Sequence, residues 1–258
     1  MKNFRGYLAA DIRRLIKNGA WCAGILGVTL SFLFSLEGGG IENGNVASTY
    51  LASILLSGSL IAYVFCALPF ASSYTEDLEH RYIRYSVIRG NLKAYVLSKS
   101  LVIYVSSVLT MLGGTFLFLF LCRLRAPWVA GEMFFEMHGT EIAGCYGAVL
   151  EKGHPVLYCM LSALNLGFIA GALSNFAALC SVYISNKALV LVSPVVLFRI
   201  LASVGVGPEG FYNIYSLYAT NAVFFQKDWM NFLTVFLVTA VPALIFTVLC
   251  GIGLKRRL

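Results

Sequence analysis

One stretch of the chain concentrates charged side chains between two apolar segments. It runs from Pro69 to Lys99 and holds an acidic cluster followed by a histidine and several basic residues. A helix over TEDLEHRYIRYS would carry both signs of charge together with the side chains of Tyr82, Ile83 and Tyr85. An apolar ridge with a polar rim suits contact with a protein better than contact with lipid. We therefore predict a protein-docking surface in this segment, with residues Glu76 to Arg84 forming the docking helix itself.

No catalytic pattern accompanies this cluster. The sequence lacks the GxxxxGK[ST] loop that binds nucleotide phosphates, so this chain does not hydrolyse ATP in the P-loop manner. It also lacks an HExxH zinc motif. The three histidines, His80, His138 and His154, fall in three separate loops and cannot share one metal. We predict a chain that is not an enzyme and that binds no metal or cofactor itself.

The composition is typical of a membrane protein. Of the 258 residues, 59% are hydrophobic and 12% are charged, and the mean hydropathy is +0.80. Soluble domains carry about 25% charged residues, so this value argues against a water-exposed surface. Apolar segments of about 20 residues recur, whereas alternating apolar and polar strands do not. The net charge of +7 comes from basic residues beside apolar segments, which membrane topology explains better than nucleic-acid binding.

This pattern predicts an all-α integral membrane protein that forms a single transmembrane domain over residues 1–258. Residues 4–17 place apolar side chains on one helical face and charged ones, Asp11 and Arg14 among them, on the other. Such a helix lies in the membrane interface with its basic side toward the headgroups. Six transmembrane helices are predicted to follow, at about 19–36, 50–72, 94–122, 156–185, 188–204 and 231–254.

The orientation follows from the basic residues in the loops. With the N-terminus inside, fourteen lysines and arginines lie at the inner face and four at the outer face, Arg123, Arg125, Lys152 and Lys227. Both termini are therefore predicted to be cytoplasmic, together with the charged loop at 73–93. The segments 123–155 and 205–230 are predicted to be extracellular.

Two basic residues fall inside predicted spans. Arg199 lies near the outer end of the fifth span, where its long side chain either snorkels to the headgroups or contacts a substrate or partner. Lys99 is the corresponding residue near the inner face, and we interpret it as an ordinary anchor to the headgroups. Ion pumps and proton-coupled carriers need ionisable groups near the membrane midplane, so the scarcity of such groups argues against that class.

The segment 205–230 is unusually rich in aromatic residues. On the outer face these side chains suit the headgroup level, either as an ordinary aromatic belt or as a gate over an exit path. The candidate residues for a substrate path or gate are Arg199, Tyr212, Tyr215, Phe224 and Phe225.

Small residues recur at three- and four-residue spacing along the fourth predicted span, at Ala163, Gly167, Gly171 and Ser174. Small side chains allow a second helix to approach closely. We expect this contact within one subunit rather than between two copies.

A local set of residues suggests a family. It comprises Pro69 and Phe70, then Glu76 and Glu79, a basic segment through Arg89 and Gly90, and Ser98-Lys99 opening the third span. With the order of the spans, this set resembles the membrane subunit of a type-2 ABC transporter, a family made up mostly of exporters. There, an acidic pair, a short helix and a lysine at the next span mark a coupling element that sits in a groove of the ATP-binding subunit. The resemblance implies that the docking residues are Glu76, Asp77, Glu79, Arg81 and Arg84.

The resemblance also implies how the protein works. A separate ATP-binding cassette subunit would bind ATP and Mg, and a second permease copy, identical or related, would complete the transporter. The chain would then move a drug, peptide, lipid or glycan outward across the cell membrane of a bacterium, by alternating access, without contacting nucleic acid.

Two other classes of function share part of this pattern. A membrane immunity or sensor scaffold without transport would have the same architecture. An intramembrane enzyme would need polar groups that converge at membrane depth, and the candidates are Ser53, Ser57, Ser59, Asn165 and Asn175. Serine and asparagine inside membrane helices more often bond to the backbone or to neighbouring helices.

Overall fold

A computed structural model describes residues 2–36, 45–55, 58–80, 82–83, 91–128, 146–204 and 227–257. Within these ranges 87% of the residues are helical and none lies in a strand. The prediction of an all-helical chain is therefore confirmed. The helices are α1 (Lys2–Lys17), α2 (Ala20–Phe34), α3 (Val46–Leu55), α4 (Gly58–Ala67), α5 (Ser73–Glu79), α6 (Leu92–Arg123), α7 (Gly147–Glu151), α8 (Pro155–Tyr183), α9 (Lys187–Val204) and α10 (Asp228–Arg257).

Three of these helices, α6, α8 and α10, are long and apolar enough to cross a membrane. Two further spans are possible if each bent pair of helices forms one, which gives three to five in the described part of the chain. α1 and α2 meet at 61°, and α3 and α4 meet at 77°. The segment predicted as one span at 50–72 is therefore not one straight helix. α9 is not among the three long helices, and the count of six spans stays a prediction.

Local signals explain where α6, α8 and α9 begin. The side chain of Asn91 accepts a hydrogen bond from the backbone N–H of Lys93 at 2.9 Å, which caps the N-terminus of α6. Pro155 occupies the first turn of α8, where its missing N–H has no helical partner to lose. The carboxamide of Asn186 accepts from the N–H of Ala188 at 3.0 Å at the start of α9. Each of these three helices, α6, α8 and α9, therefore begins where a residue satisfies or removes a free backbone donor.

The small residues of α8 lie in close contact with α6. A Cβ atom on Gly167 would lie 3.3 Å from Val108 of α6, and one on Gly171 would lie 2.7 Å from the ring of Tyr104. All of α8's small residues at this spacing are buried. The expectation that this stripe packs within one chain is therefore confirmed.

Two large apolar clusters and two smaller ones fill the described part of the bundle. The larger one includes Phe32, Tyr50 and Phe118, whose rings lie 5.6 to 6.3 Å apart between α2, α3 and α6. The second cluster lies where α5 meets the ends of α1, α6, α8 and α10, and it includes Tyr74 and Tyr95. This second cluster forms the floor beneath the charged residues of α5.

Candidate functional site

The seven-residue helix α5 lies across the ends of the longer helices. The hydroxyl of Thr75 donates to the carbonyl of Ser181 in α8 at 3.1 Å. The hydroxyl of Tyr74 donates to the carbonyl of Val96 in α6 at 3.3 Å. Both donor side chains are buried. α5 is therefore attached to α6 and α8 by side chains that point into the protein, and its other face remains for charged groups.

Asp77 is the centre of the site. Its side chain is only 4% exposed, and it accepts a hydrogen bond from the fully buried ammonium of Lys99. Arg14 of α1 donates to the other carboxylate oxygen at 2.7 Å, and the hydroxyl of Tyr95 donates to the same oxygen as Lys99 at 2.5 Å. A buried carboxylate is stable only when its charge is paired and its oxygens are hydrogen-bonded. Both conditions are met, and the contacts join α1, α5 and α6.

The environment of Lys99 explains how a cation is tolerated inside the protein. Its ammonium lies 4.9 Å from the ring centre of Tyr74, 5.0 Å from that of Tyr95 and 5.9 Å from that of Phe70. Aromatic faces attract cations at such distances. It also donates to the carbonyl of Ser73 at 3.3 Å. The interpretation of Lys99 as an anchor reaching the headgroups is therefore wrong, because its side chain turns inward to a carboxylate.

A second set of ion pairs surrounds Glu76. Its carboxylate accepts from Arg14 at 2.7 Å and from Lys187, at the start of α9, at 3.2 Å. The side chains of all three are between about one third and one half exposed. Pairs in water contribute little to stability because solvent screens them. Glu76 thus connects α5 to α9, but its ion pairs contribute less to stability than the buried ion pair of Asp77.

α1 is held by its charged side as well. The carboxylate of Asp11 is nearly buried and accepts a hydrogen bond from the hydroxyl of Ser98 in α6 at 3.0 Å. Asp11 and Arg14 were expected to face the headgroups with the other charged residues of 4–17. Both instead contact the helical bundle, because α6 and α5 offer matching polar groups. The side chains of Arg5, Arg13 and Lys17 are exposed. None of them forms an ion pair within the described part of the chain.

The pKa of Asp77 makes the stability of the site depend on pH. Burial by itself would raise this pKa, but the charge of Lys99 and the hydrogen bonds from Lys99, Tyr95 and Arg14 outweigh it, so the pKa lies below its ordinary value. A depressed carboxylate pKa stabilises the fold above the pKa of the unfolded chain, about 3.9 for aspartate. That stabilisation is lost as the pH falls through the folded-state pKa.

We therefore expect the thermal midpoint of the purified protein to fall as the pH drops below about 4. Asp77→Asn should show a smaller fall over the same range, because its side chain does not titrate. Glu79→Gln, an exposed site on the same helix, serves as the control and should follow the wild type. Midpoints measured in detergent from pH 7 to pH 3 test this. Equal falls in wild type and Asp77→Asn would contradict it.

The structure separates the predicted docking residues. Glu79 is exposed, Glu76 is partly exposed and Asp77 points inward. Arg81 and Arg84 lie outside the described residues. Sequence reasoning missed Arg14, Tyr95 and the inward role of Lys99. The available signal was the pairing of one lysine in an apolar run with an acidic cluster 20 to 23 residues earlier in the chain.

Of the predicted gate residues, the structure describes one. Arg199 lies in α9 and is exposed. Tyr212, Tyr215, Phe224 and Phe225 lie outside the described residues, so a gate in the segment 205–230 stays a prediction.

The polar residues proposed for an intramembrane enzyme bond to their surroundings. Ser53 donates to the carbonyl of Tyr50 at 2.7 Å, and Ser59 to that of Ile54 at 3.2 Å. Asn175 donates to the carbonyl of Gly171 at 3.0 Å, and the hydroxyl of Tyr146 donates to Asn165 at 3.3 Å. Ser57 lies outside the described residues. Across the described ranges, no group of three His, Cys, Asp or Glu side chains is placed to hold a metal ion.

Comparisons with protein-family models, with curated proteins and with solved structures found no match. The fold and the site therefore define a class by themselves: a helical protein with several membrane-compatible helices and a short, ion-paired helix fixed across one end. The contacts around Asp77 and Glu76 hold the charged side chains of α5 in place against α1, α6 and α9.

Proposed function

We propose that the chain is the membrane-spanning permease subunit of an ATP-driven ABC exporter. It forms six spans with both termini in the cytoplasm, and α1 lies in the interface of the cell membrane. The observation that supports this proposal best is the attachment of α5. A coupling element must be exposed on one side and fixed on the other, and α5 combines an exposed Glu79 with a buried Asp77.

The attachment gives α5 a mechanical role. Its contacts reach α1 through Arg14, α6 through Lys99, α8 through Thr75 and α9 through Glu76. Packed interiors transmit displacement because they hold few voids. A partner that pushes α5 would therefore move four helices together, which is what alternating access by rigid-body motion requires.

The basic residues support the proposed orientation. Lys93 and Lys255 border one groove, Lys187 pairs with Glu76, and Arg257 donates to the carbonyl of Tyr183 at 3.3 Å. These contacts gather the basic ends of α6, α9 and α10 beside α5. An excess of lysine and arginine on one side is the usual mark of the cytoplasmic face.

The energy source lies in a partner, since this sequence lacks a phosphate-binding loop. An ATP-binding cassette subunit supplies ATP and Mg, and a second permease copy completes the pathway. Within α5 the residues divide their roles. Glu79, the partly exposed Glu76, and Arg81 and Arg84 contact the ATP-binding subunit, while Asp77 sets the position of the helix.

The test is recovery of the partner. The tagged full-length chain, purified from its native membranes, should bring down an ATP-binding cassette subunit that hydrolyses ATP in proteoliposomes. Glu79→Arg should lower the yield of this complex at least tenfold, because it reverses a charge on the exposed edge of α5. Lys17→Ala changes an exposed charge on α1 and should leave the yield unchanged.

Membrane insertion of both variants is measured by their recovery in the membrane fraction and should match the wild type. A chain that purifies alone, with no associated ATPase activity, would contradict the transporter and would favour a scaffold without transport.

A further inference from the structure

An apolar groove runs between the first turns of α6 and the last turns of α10. Its volume is about 830 Å³, which lies within the roughly 300–1,000 Å³ range of ligand-binding cavities. The walls are Leu92, Val96 and Leu97 on one side and Val248 and Ile252 on the other. None of these side chains takes part in the ion pairs described above, and Val96 contributes only its backbone carbonyl to the attachment of α5.

Gly251 opens the groove. A Cβ atom at this position would meet nothing within 4 Å, so the absence of a side chain leaves free space between the two helices. Thr247 also borders the groove, and its hydroxyl is already bonded to the carbonyl of Ala243 at 2.8 Å. The interior of the groove is therefore lined mainly by apolar side chains, and the hydroxyl hydrogen of Thr247 is already used within α10.

The mouth of the groove has the opposite character. Lys93 of α6 and Lys255 of α10 both border it, and both are exposed. Neither takes part in an ion pair within the described part of the chain. Two ammonium groups at the end of an apolar slot are complementary to a molecule with an anionic head and a hydrocarbon tail.

We infer that this groove is a binding site for an anionic phospholipid. One acyl chain lies along Gly251 between α6 and α10, and the phosphate contacts Lys93 and Lys255. The two charges favour an anionic lipid, since the cationic headgroup of a zwitterionic lipid offsets its phosphate and an apolar helix of a second copy offers the lysines no anion. The inference goes beyond transport and holds whether or not an ATP-binding subunit docks on α5.

Native mass spectrometry of the detergent-solubilised protein tests the headgroup. Phosphatidylglycerol is titrated against phosphatidylcholine with identical acyl chains, and phosphatidylglycerol should bind more tightly. Lys93→Ala and Lys255→Ala should each weaken binding of phosphatidylglycerol about fivefold, as expected for one basic residue beside an anionic lipid. Lys17→Ala, an exposed lysine that does not border the groove, should not.

Gly251→Phe tests the slot, because its ring fills space that the structure leaves empty. It should abolish the preference for phosphatidylglycerol while both lysines remain. Gly6→Phe is the matched control, since a Cβ at this exposed position of α1 also meets nothing within 4 Å. Circular dichroism should show both variants folded.

Three outcomes would overturn the inference. The first is equal binding of the two lipids to the wild type. The second is competition by free glycerol phosphate at the same concentration, which would mean that the acyl chain adds nothing. The third is a change in oligomeric state in Gly251→Phe without a change in lipid binding, which would make the groove a contact between copies.

Discussion

Asp77→Asn is expected to lower the free energy of unfolding by about 3–5 kcal/mol, the range for breaking a buried ion pair from one side. The substitution keeps the size of the side chain and removes its charge. Lys99 then remains fully buried, and Asp77 is the carboxylate that pairs with it. A buried ammonium that keeps only the more distant charge of Asp11 has lost its hydration and gained little compensating charge.

Lys99→Met should be less damaging than Asp77→Asn. Without Lys99, the carboxylate of Asp77 still accepts from Arg14 at 2.7 Å and from Tyr95 at 2.5 Å. The two members of the pair are thus unequally supported. Among the described residues Asp77 pairs directly with two cations, whereas Lys99 pairs directly with Asp77 and has Asp11 only as a more distant charge. The double variant, Asp77→Asn with Lys99→Met, should lose less stability than the sum of the losses in the two single variants. It removes both members of the pair and therefore leaves no buried ammonium without its carboxylate.

Glu76→Gln is the matched control, one residue away on the same helix. Its carboxylate is partly exposed and its ion pairs are screened, so a loss of less than about 1 kcal/mol is expected. Unfolding of each variant in mixed detergent micelles, followed by circular dichroism, gives the comparison. If Asp77→Asn proved no more harmful than Glu76→Gln, the buried pair would not be what holds α5.

Gly114→Ala should lower the free energy of unfolding by about 1–3 kcal/mol, as overpacking of a tight interface does. The added Cβ would lie 2.5 Å from Val28 and 3.0 Å from the backbone carbonyl of Ile25. Val28 is fully buried, and a helix backbone cannot rotate away as a side-chain end can. α2 and α6 would have to separate, which would also stretch the 3.0 Å bond from Thr29 to the carbonyl of Gly114.

The neighbouring glycine provides the control. A Cβ on Gly113 would lie 3.2 Å from the end of the Ile25 side chain, which can shift by a few tenths of an ångström. Alanine favours a helix over glycine by about 0.5–1 kcal/mol. Gly113→Ala should therefore leave stability unchanged or raise it slightly. Equal losses at the two positions would show that helix propensity, rather than contact with α2, governs this interface.

Much of the helical content could be predicted from the sequence because it depends on local properties. The apolar runs at 94–122 and 156–185 correspond to α6 and α8, whose length and hydropathy are readable residue by residue. The break within 50–72 could not be read in this way. A Cβ on Gly58 would lie 2.7 Å from the carbonyl of Ser53 and 2.8 Å from the hydroxyl of Ser35, so the start of α4 packs tightly against α3 and the end of α2.

The charged site shows the same division. The sequence by itself determined that carboxylates and basic residues gather after the second apolar segment, and that no phosphate loop accompanies them. Only the tertiary structure decided that Glu79 faces outward while Asp77 and Lys99 meet inside. Composition records which charges are present, whereas burial depends on how each helix is rotated about its axis and which distant residue lies opposite. Lys99 and Asp77 are 22 positions apart, and their pairing is a property of packing.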